Sequence, residues 1–228
     1  MQTERFVIQV AESRTTAVHY PAAPASALAL LILAHGAGAP QTHPWMVRMA
    51  HALAARGIDV VTFNFLYAEA KRRVPDKNPV LEDTWRAVVR AVRDGSGLSG
   101  RRLFIGGKSM GGRIATQVAA DPTPAPWLQD LRGLVLLGYP LHPPGRPDKL
   151  RVAHLERVRP PMLFVQGSRD AFGGAAELEP FVRELSARGT RVLPVEGGDH
   201  SLAVPKKSGL DADQVIARVA DAIAAFTA

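Results

Sequence analysis

Three side chains that could together activate an alcohol lie far apart in the chain, at Ser109, Asp170 and His200. A serine hydroxyl is a poor nucleophile until a base removes its proton, and a histidine with an unperturbed pKa of roughly 6.5 suits that task at neutral pH. The imidazole in turn needs a carboxylate that fixes its tautomer and balances its charge. We therefore expect Ser109 to be the nucleophile, His200 the base and Asp170 the orienting acid, in the chain order serine, aspartate, histidine.

The surroundings of Ser109 predict a strand, a sharp corner and a helix. An apolar run at 103–105 indicates a buried strand, and apolar residues at helical spacing over 114–119 indicate a helix. A serine on such a strained corner is a nucleophile elbow, which needs small neighbours so that the chain can turn. The glycines that meet this need are Gly107, Gly111 and Gly112.

Two nucleotide-binding motifs are incomplete in this chain. Residues 107–109 copy the end of a phosphate loop, but Arg102 occupies the position of its first glycine and 103–105 is strand-like. Residues 36–38 could open a dinucleotide fingerprint, but Gln41 stands where the third glycine belongs. We reject both motifs and expect no cofactor.

Cleavage of an acyl bond also needs two backbone N–H groups aimed at the oxygen that becomes negative. We expect Met110, at the start of the elbow helix, to supply one of them, and the loop after His35-Gly36 to supply the other at Ala37. His35 itself is interpreted as a residue that fixes this loop rather than as a base. Lys108 is expected to point away from the nucleophile.

The other histidines and acids have less specific roles. We expect four loop residues to line the substrate site: Gly36, His43, Tyr139 and His142. His19, His51 and His154 are isolated on predicted strands and helices and are interpreted as ordinary. Asp199 would have to fold back to orient its neighbour His200, so Asp170 is the preferred acid.

Length and composition favour one globular domain over residues 1–228, because 46% of the 228 residues are hydrophobic and 21% are charged. There are no cysteines, which excludes disulfides, thiolate zinc sites and a cysteine nucleophile. No metal-binding spacing such as His-Glu-x-x-His occurs, so no metal is expected.

The net charge of +7 raises nucleic acid as a partner. However, the arginines are scattered along predicted helix faces, as at Arg86, Arg90 and Arg93, and no nucleic-acid motif accompanies them, so we do not expect nucleic-acid binding.

The longest apolar run, Ala27 to Ala34, is too short to span a bilayer, and Met1 to Val10 lacks the apolar segment of a signal peptide. We expect a soluble cytoplasmic protein without membrane partners.

Strands and helices alternate along the chain, which predicts a mostly parallel sheet with helices on both faces and a site at the carboxyl ends of its strands.

Asp211 and Gln214 form a predicted capping box on the last helix. A linker is expected at Pro21–Ala25. The predicted strands are 6–10, 15–20, 28–34, 58–65, 103–105, 133–137, 161–165 and 191–195; the predicted helices begin near 44, 81, 110, 178 and 211.

Five segments together resemble the α/β-hydrolase superfamily over nearly the whole chain: His35-Gly36-Ala37-Gly38, Gly107-Lys108-Ser109-Met110-Gly111-Gly112, Gly138-Tyr139-Pro140-Leu141-His142-Pro143, Gly167-Ser168-Arg169-Asp170 and Gly198-Asp199-His200-Ser201. More narrowly, the chain looks like a small branch related to dienelactone hydrolases and named after a subunit of the non-specific lethal chromatin complex and a testis-expressed relative. The resemblance implies triad roles for Ser109, Asp170 and His200. A serine stands where dienelactone hydrolases use cysteine, which argues against a dienelactone substrate.

The expected activity is that of a serine hydrolase acting on an ester-like bond, a carboxylic ester or a thioester, in a small acyl substrate. About twenty residues separate Leu137 from Pro161, so any lid is small and short or medium acyl groups are expected. Two alternatives use the same residues or scaffold: an acyltransferase with the same triad, and a non-catalytic interaction domain like the chromatin-associated relatives. The sequence leaves the leaving group and the oligomeric state open.

Overall fold

Eight strands form one central sheet. The structure, a computed structural model, describes residues 2–23, 28–95, 97–123, 125–185 and 188–228, and the sheet lies within these residues. The strands are β1 (Glu4–Val10), β2 (Ser13–Tyr20), β3 (Ala29–Ala34), β4 (Ile58–Phe63), β5 (Arg102–Lys108), β6 (Leu131–Leu137), β7 (Met162–Gly167) and β8 (Arg191–Val195). Their spatial order is β1-β2-β4-β3-β5-β6-β7-β8. β2 pairs antiparallel with β1 and with β4, and all other neighbours are parallel. The predicted, mostly parallel sheet is confirmed.

Helices cover both faces of this sheet. They are α1 (Pro44–Ala54), α2 (Leu66–Glu69), α3 (Asn78–Gly95), α4 (Met110–Ala119), α5 (Pro126–Asp130), α6 (Ala175–Glu184) and α7 (Ala212–Thr227). Helices α1 and α7 belong to one apolar cluster, and α3, α4 and α6 belong to the other. The sheet therefore lies between two helical layers, as the alternating pattern predicted.

The central strands read as continuous apolar runs because both of their faces are buried. All six residues of β3 are buried, and they alternate between the two clusters: Leu30 and Ile32 pack on one side, Leu31 and Leu33 on the other. The capping box on α7 is also confirmed, since the Gln214 N–H donates to Asp211 Oδ1 at 2.8 Å and the Asp211 N–H donates to Gln214 Oε1 at 2.9 Å.

Some element bounds differ from those predicted. β4 ends at Phe63 rather than at position 65, because the chain turns there and the Phe65 N–H donates to a side chain instead of to the ladder. The short helices α2 and α5 were not predicted. Residues 24 and 25 of the expected linker lie outside the described residues. Between β6 and β7, residues 138–161 contain one 3-10 turn, Leu155–Arg157, which agrees with the small lid expected.

Parallel strands bring their carboxyl ends to one edge of the sheet, and the site loops begin there. β3 ends before the loop 35–43, β5 ends at the elbow, β7 ends before the turn at Asp170, and β8 ends before the loop 196–205, which we call the histidine loop. Over the described ranges, none of the helices has both the length and the apolar character needed to cross a membrane.

Candidate active site

Ser109 forms the corner between β5 and α4. Its backbone has a φ of +50° and a ψ of −117°, and its N–H donates to the Leu137 carbonyl at 2.9 Å. A left-handed φ is unfavourable for a residue with a Cβ, so the corner is strained and depends on close packing around it. A Cβ added at Gly111 would lie 2.5 Å from the His35 carbonyl oxygen, and one at Gly107 would lie 2.6 Å from that of Ala34. The elbow can form only because these two positions lack side chains.

A chain of hydrogen bonds joins the three residues that the sequence singled out. Ser109 Oγ lies 2.7 Å from His200 Nε2. His200 Nδ1 lies 2.8 Å from Asp170 Oδ2 and 3.0 Å from Asp170 Oδ1. The Asp170 side chain is 0% exposed and that of His200 is 22% exposed, so the carboxylate is inside and the imidazole is partly exposed at the surface. Residues that are 30 and 91 positions apart thus meet at one edge of the sheet.

The partners of the Asp170 carboxylate determine the histidine tautomer. Oδ2 accepts from Gln166 Nε2 at 2.9 Å, and Oδ1 accepts from the Phe172 N–H at 2.8 Å. Because both oxygens serve as acceptors, the third partner, His200 Nδ1, must donate its N–H to the carboxylate. His200 Nε2 then carries the lone pair and can accept the proton of the Ser109 hydroxyl.

Gln166 is a buried residue of the site that sequence reasoning missed. The two N–H groups of its Nε2 are shared among Asp170, the Gly173 carbonyl at 2.7 Å and the Tyr139 carbonyl at 3.1 Å, and its Oε1 accepts from the Tyr139 N–H at 2.7 Å. It therefore holds the turn that carries the acid against the loop after β6. The available signal was a polar amide at the end of an apolar strand that is buried on both faces.

The oxyanion hole expected from the sequence rests on two backbone N–H groups, those of Ala37 and Met110. Neither the Ala37 N–H nor the Met110 N–H finds an acceptor among the described residues, and the Met110 N–H lies at the N-terminus of α4, where N–H groups point out of the helix. The loop also approaches the nucleophile closely, since a Cβ added at Gly36 would lie 3.5 Å from Ser109 Cβ. Tyr67 Oη lies 3.0 Å from the Ala37 carbonyl and 3.3 Å from that of Gly36, which anchors the loop through its carbonyls.

His35 holds this loop in place, as expected from the sequence. Its Nδ1 donates to the Gly36 carbonyl at 2.7 Å, and its Nε2 accepts the Phe65 N–H at 3.1 Å. Burial lowers the pKa of His35 to about 4, and the hydrogen bond to Gly36 only partly opposes this. The ring is therefore neutral at physiological pH, with both nitrogens occupied by backbone groups.

The structure gives the remaining loop residues other partners. His43 is exposed and caps α1, its Nδ1 accepting the Trp45 N–H at 3.2 Å. Tyr139 is 1% exposed and donates its hydroxyl to the Arg151 carbonyl at 2.7 Å, so almost none of its surface is available to a substrate. Burial raises the pKa of Tyr139 to about 12.

His142 is also buried, at 5% exposure, which does not fit the expected substrate-lining position. Its Nδ1 donates to the Pro143 carbonyl at 2.8 Å, and its Nε2 lies 3.2 Å from Glu177 Oε2. Tyr139 packs into the apolar cluster under the loop after β6, whereas the His142 ring has polar partners, and a sequence pattern reveals neither arrangement. Of the four expected lining residues, Gly36 has a position next to the nucleophile.

Asp199 and the other histidines are engaged away from the hydrogen-bond chain. Asp199 Oδ1 accepts the N–H groups of Ser201 at 2.7 Å and Ala203 at 3.0 Å, and so shapes the histidine loop. The partners of the three remaining rings are Asp59 for His19, Tyr20 for His51 and Thr116 for His154. Among the described residues, no group of three or more His, Asp or Glu side chains could hold a metal ion.

Comparisons with known proteins identify the family of this chain and solved structures that share its fold. Residues 27–228 match the model of a family described as an alpha/beta hydrolase domain. An alpha-beta serine hydrolase homologue from Coxiella burnetii is 19% identical, with 100% of this chain and 99% of that chain covered and a TM-score of 0.73. A dienelactone hydrolase from Anabaena variabilis is 16% identical (99% and 96% covered, TM-score 0.73). A serine hydrolase without lid from Xanthomonas campestris is 18% identical (97% and 95% covered, TM-score 0.71).

Proposed function

This chain belongs to the α/β-hydrolase domain family, and we propose that it is a serine hydrolase that cleaves an ester-like bond in a small acyl substrate. The family match confirms the superfamily predicted from the motifs. The narrower link to the chromatin-complex and testis-expressed group stays a prediction. The observation that carries the proposal is the 2.7 Å contact between Ser109 Oγ and His200 Nε2.

The first half of the reaction forms an acyl-enzyme. Ser109 Oγ attacks the carbonyl carbon while its proton passes to His200 Nε2, and the resulting imidazolium is balanced by the Asp170 carboxylate. The carbonyl oxygen becomes negative and accepts from the Ala37 and Met110 N–H groups, each of which contributes a factor of about 10²–10³ to the rate in such sites. His200 then returns its proton to the leaving oxygen or sulfur as the bond to the carbonyl carbon breaks.

The second half releases the acyl group. A water oxygen attacks the carbonyl carbon of the acyl group on Ser109 while a water proton passes to His200 Nε2, and the same two N–H groups stabilise the second oxyanion. His200 Nε2 then protonates Ser109 Oγ as the carboxylic acid leaves. Each group ends in its starting state, so the proposed cycle needs no cofactor.

The expected substrates are carboxylic esters or thioesters with short or medium acyl groups. The segment between β6 and β7 contributes one 3-10 turn rather than a helical cap, so we expect an open edge above Ser109. An open site offers little apolar surface to a long acyl chain. The serine nucleophile separates the proposed chemistry from the cysteine chemistry of dienelactone hydrolases.

A fluorophosphonate probe tests the proposal directly, because it forms a stable bond to an activated serine. We expect the wild type to gain one probe mass and to hydrolyse p-nitrophenyl acetate and butyrate. Ser109→Ala should lose both properties, whereas Ser99→Ala, in an exposed turn before β5, should keep them. A matched panel of ester, thioester and amide with one acyl group then ranks the leaving groups.

The proposal fails if the folded wild type neither takes up the probe nor hydrolyses any member of the panel. That result would favour the non-catalytic interaction domain. Circular dichroism of each variant establishes that a loss of labelling is not a loss of folding.

A further inference from the structure

The ammonium of Lys108 is bonded to the histidine loop. Lys108 is the last residue of β5, immediately before Ser109, and its Nζ donates to the backbone carbonyl of His200 at 3.1 Å. The acceptor of this ammonium is a backbone carbonyl of the histidine loop and not the Ser109 hydroxyl. β5 and β8 are three strand spacings apart in the sheet, about 14 Å. The lysine side chain thus connects the nucleophile to a loop that the sheet alone would leave distant.

The His200 carbonyl has no other donor among the residues that the structure describes. The loop around it is bonded internally, with the Asp199 N–H donating to the Ala203 carbonyl at 3.0 Å and the Leu202 N–H donating to the Asp199 carbonyl at 2.9 Å. These bonds set the shape of the loop but do not connect His200 to the nucleophile strand. The connection through the backbone of His200 is made by the ammonium.

The His200 carbonyl is also tightly packed. A Cβ added at Gly138, in the loop after β6, would lie 2.8 Å from this oxygen. The carbonyl therefore has little room to move without losing its bond to Lys108.

The indole of Trp45 covers the same ammonium. Lys108 Nζ lies 5.3 Å from the centroid of the Trp45 ring, within the range of a cation–π interaction. Trp45 belongs to the first turn of α1, directly after the loop that carries Ala37. Burial lowers the pKa of Lys108, and the carboxylates of Asp170 and Asp199 oppose that shift. The ammonium is thus held between the histidine loop and α1.

We propose that Lys108 is a positioning residue that holds the general base in register with the nucleophile, an inference that rests on the proposed function. Its bond to the His200 carbonyl keeps the imidazole Nε2 within reach of Ser109 Oγ. Lys108 and Ser109 are consecutive at the end of β5. Because the Lys108 ammonium holds the His200 carbonyl, a movement of this strand end carries the base and the nucleophile together. A misplacement of about 1 Å at a reacting pair can cost about 10²-fold in rate.

The test replaces the ammonium by an apolar group of similar length. We expect Lys108→Met to lower kcat about 10- to 100-fold with KM within about twofold, because a positioning residue acts on the alignment of the reacting atoms rather than on substrate binding. Lys149→Met, on an exposed loop, should keep the wild-type kcat. Lys108→Arg should recover part of the lost kcat because it retains a cationic donor.

A proton NMR readout makes the test independent of turnover. The downfield resonance of the proton between His200 Nδ1 and Asp170 should be visible in the wild type and should broaden or vanish in Lys108→Met. It should return in Lys108→Arg. A residue that acted only on global stability would leave this resonance intact in the folded variant.

Several outcomes would overturn the inference. They are a wild-type kcat and resonance in folded Lys108→Met, or a loss confined to KM. If Lys108→Met does not fold, Lys108→Gln takes its place. Its side chain is one bond shorter and uncharged, so kcat is expected to fall about three- to tenfold, and a kcat within about twofold of the wild type would equally reject the positioning role. A wild type that fails to react with fluorophosphonate would reject the proposed hydrolase instead, and the resonance would still report whether Lys108 positions His200.

Discussion

The phenyl ring of Phe172 lies nearly flat against the imidazole of His200, with ring centroids 4.1 Å apart and an angle of 28° between the planes. The backbone of the same residue donates to Asp170 Oδ1 and accepts from the His142 N–H at 3.0 Å. Phe172 therefore contacts the proposed base through its ring and the proposed acid through its amide. It limits rotation of the imidazole in a site whose base is partly open to solvent.

Replacing Phe172 by leucine should lower kcat about three- to tenfold, because an aromatic stacking contact contributes about 0.5–1.5 kcal/mol and also faces the imidazolium formed during the reaction. Phe172→Tyr keeps the ring and should stay close to the wild type. Steady-state hydrolysis of a p-nitrophenyl ester measures the effect. Equal kcat values for Phe172→Leu and the wild type would show that the stacking does not assist the base.

Replacing the Asp170 carboxylate by an amide should lower kcat about 10³- to 10⁴-fold, because an asparagine can donate to His200 Nδ1 and so favour the wrong tautomer. The matched variant is Asp199→Asn, which keeps the oxygen that accepts the Ser201 and Ala203 N–H groups. We expect Asp199→Asn to retain activity within a few-fold. A larger loss of kcat in Asp199→Asn than in Asp170→Asn would show that Asp199, rather than Asp170, is the acid that orients His200.

Acid should destabilise the protein through its buried histidines. The folded pKa of His35 is about 4 because of burial, against about 6.5 in an unfolded chain, so only the unfolded chain takes up this proton between those two values. Stability is therefore lost as the pH falls from about 6.5 towards 4, by about 2 kcal/mol for this one group between pH 7 and pH 5. Burial, followed by Arg157 and Arg113, also lowers the pKa of His154 to about 4.

Urea denaturation of the wild type, His35→Gln and His154→Gln at pH 7 and pH 5 measures this contribution. At pH 7 each variant should be less stable than the wild type. Between pH 7 and pH 5 the free energy of unfolding of each variant should fall less than that of the wild type, because the variant lacks one histidine that takes up a proton on unfolding. Parallel pH curves for the wild type and both variants would contradict the prediction.

The close approach of α4 to β3 should make a side chain at Gly111 destabilising. A Cβ there would lie 2.5 Å from the His35 carbonyl oxygen and 2.7 Å from that of Ala34, and both are backbone atoms that cannot swing away. Gly111→Ala should therefore lower the free energy of unfolding by about 1–3 kcal/mol or more. Gly100→Ala, where an added Cβ meets nothing within 4 Å, should change it by less than about 0.5 kcal/mol. Similar unfolding midpoints for the two variants would disprove the proposed clash.

Much of the fold could be predicted because its signals are local. The apolar run of β3 indicates a strand covered on both faces, the glycines around Ser109 indicate a tight corner, and the Asp211 and Gln214 pair marks the start of α7. Each signal depends on residues within a few positions of one another. The alternation of strands and helices then restricts the sheet to a mostly parallel one with its loops at a common edge.

The fine structure of the site could not be predicted in this way. Gln166 bonds to Asp170, and Phe172 and Lys108 contact His200. The amide at the end of the buried strand β7 marks Gln166 as unusual, but neither it nor the neighbours of Phe172 and Lys108 in the chain indicate these partners. Tyr139 and His142, which the sequence suggested for the substrate, are both buried, and burial depends on long-range packing that a short segment does not specify.

The sequence alone determined which residue types stand at the ends of which strands, because strand periodicity and turn chemistry are properties of short segments. Only the tertiary structure decided that the Lys108 ammonium meets the His200 carbonyl and that the Phe172 ring lies on the imidazole. These contacts join residues 92 and 28 positions apart in the chain, and they depend on how loops pack across several strands.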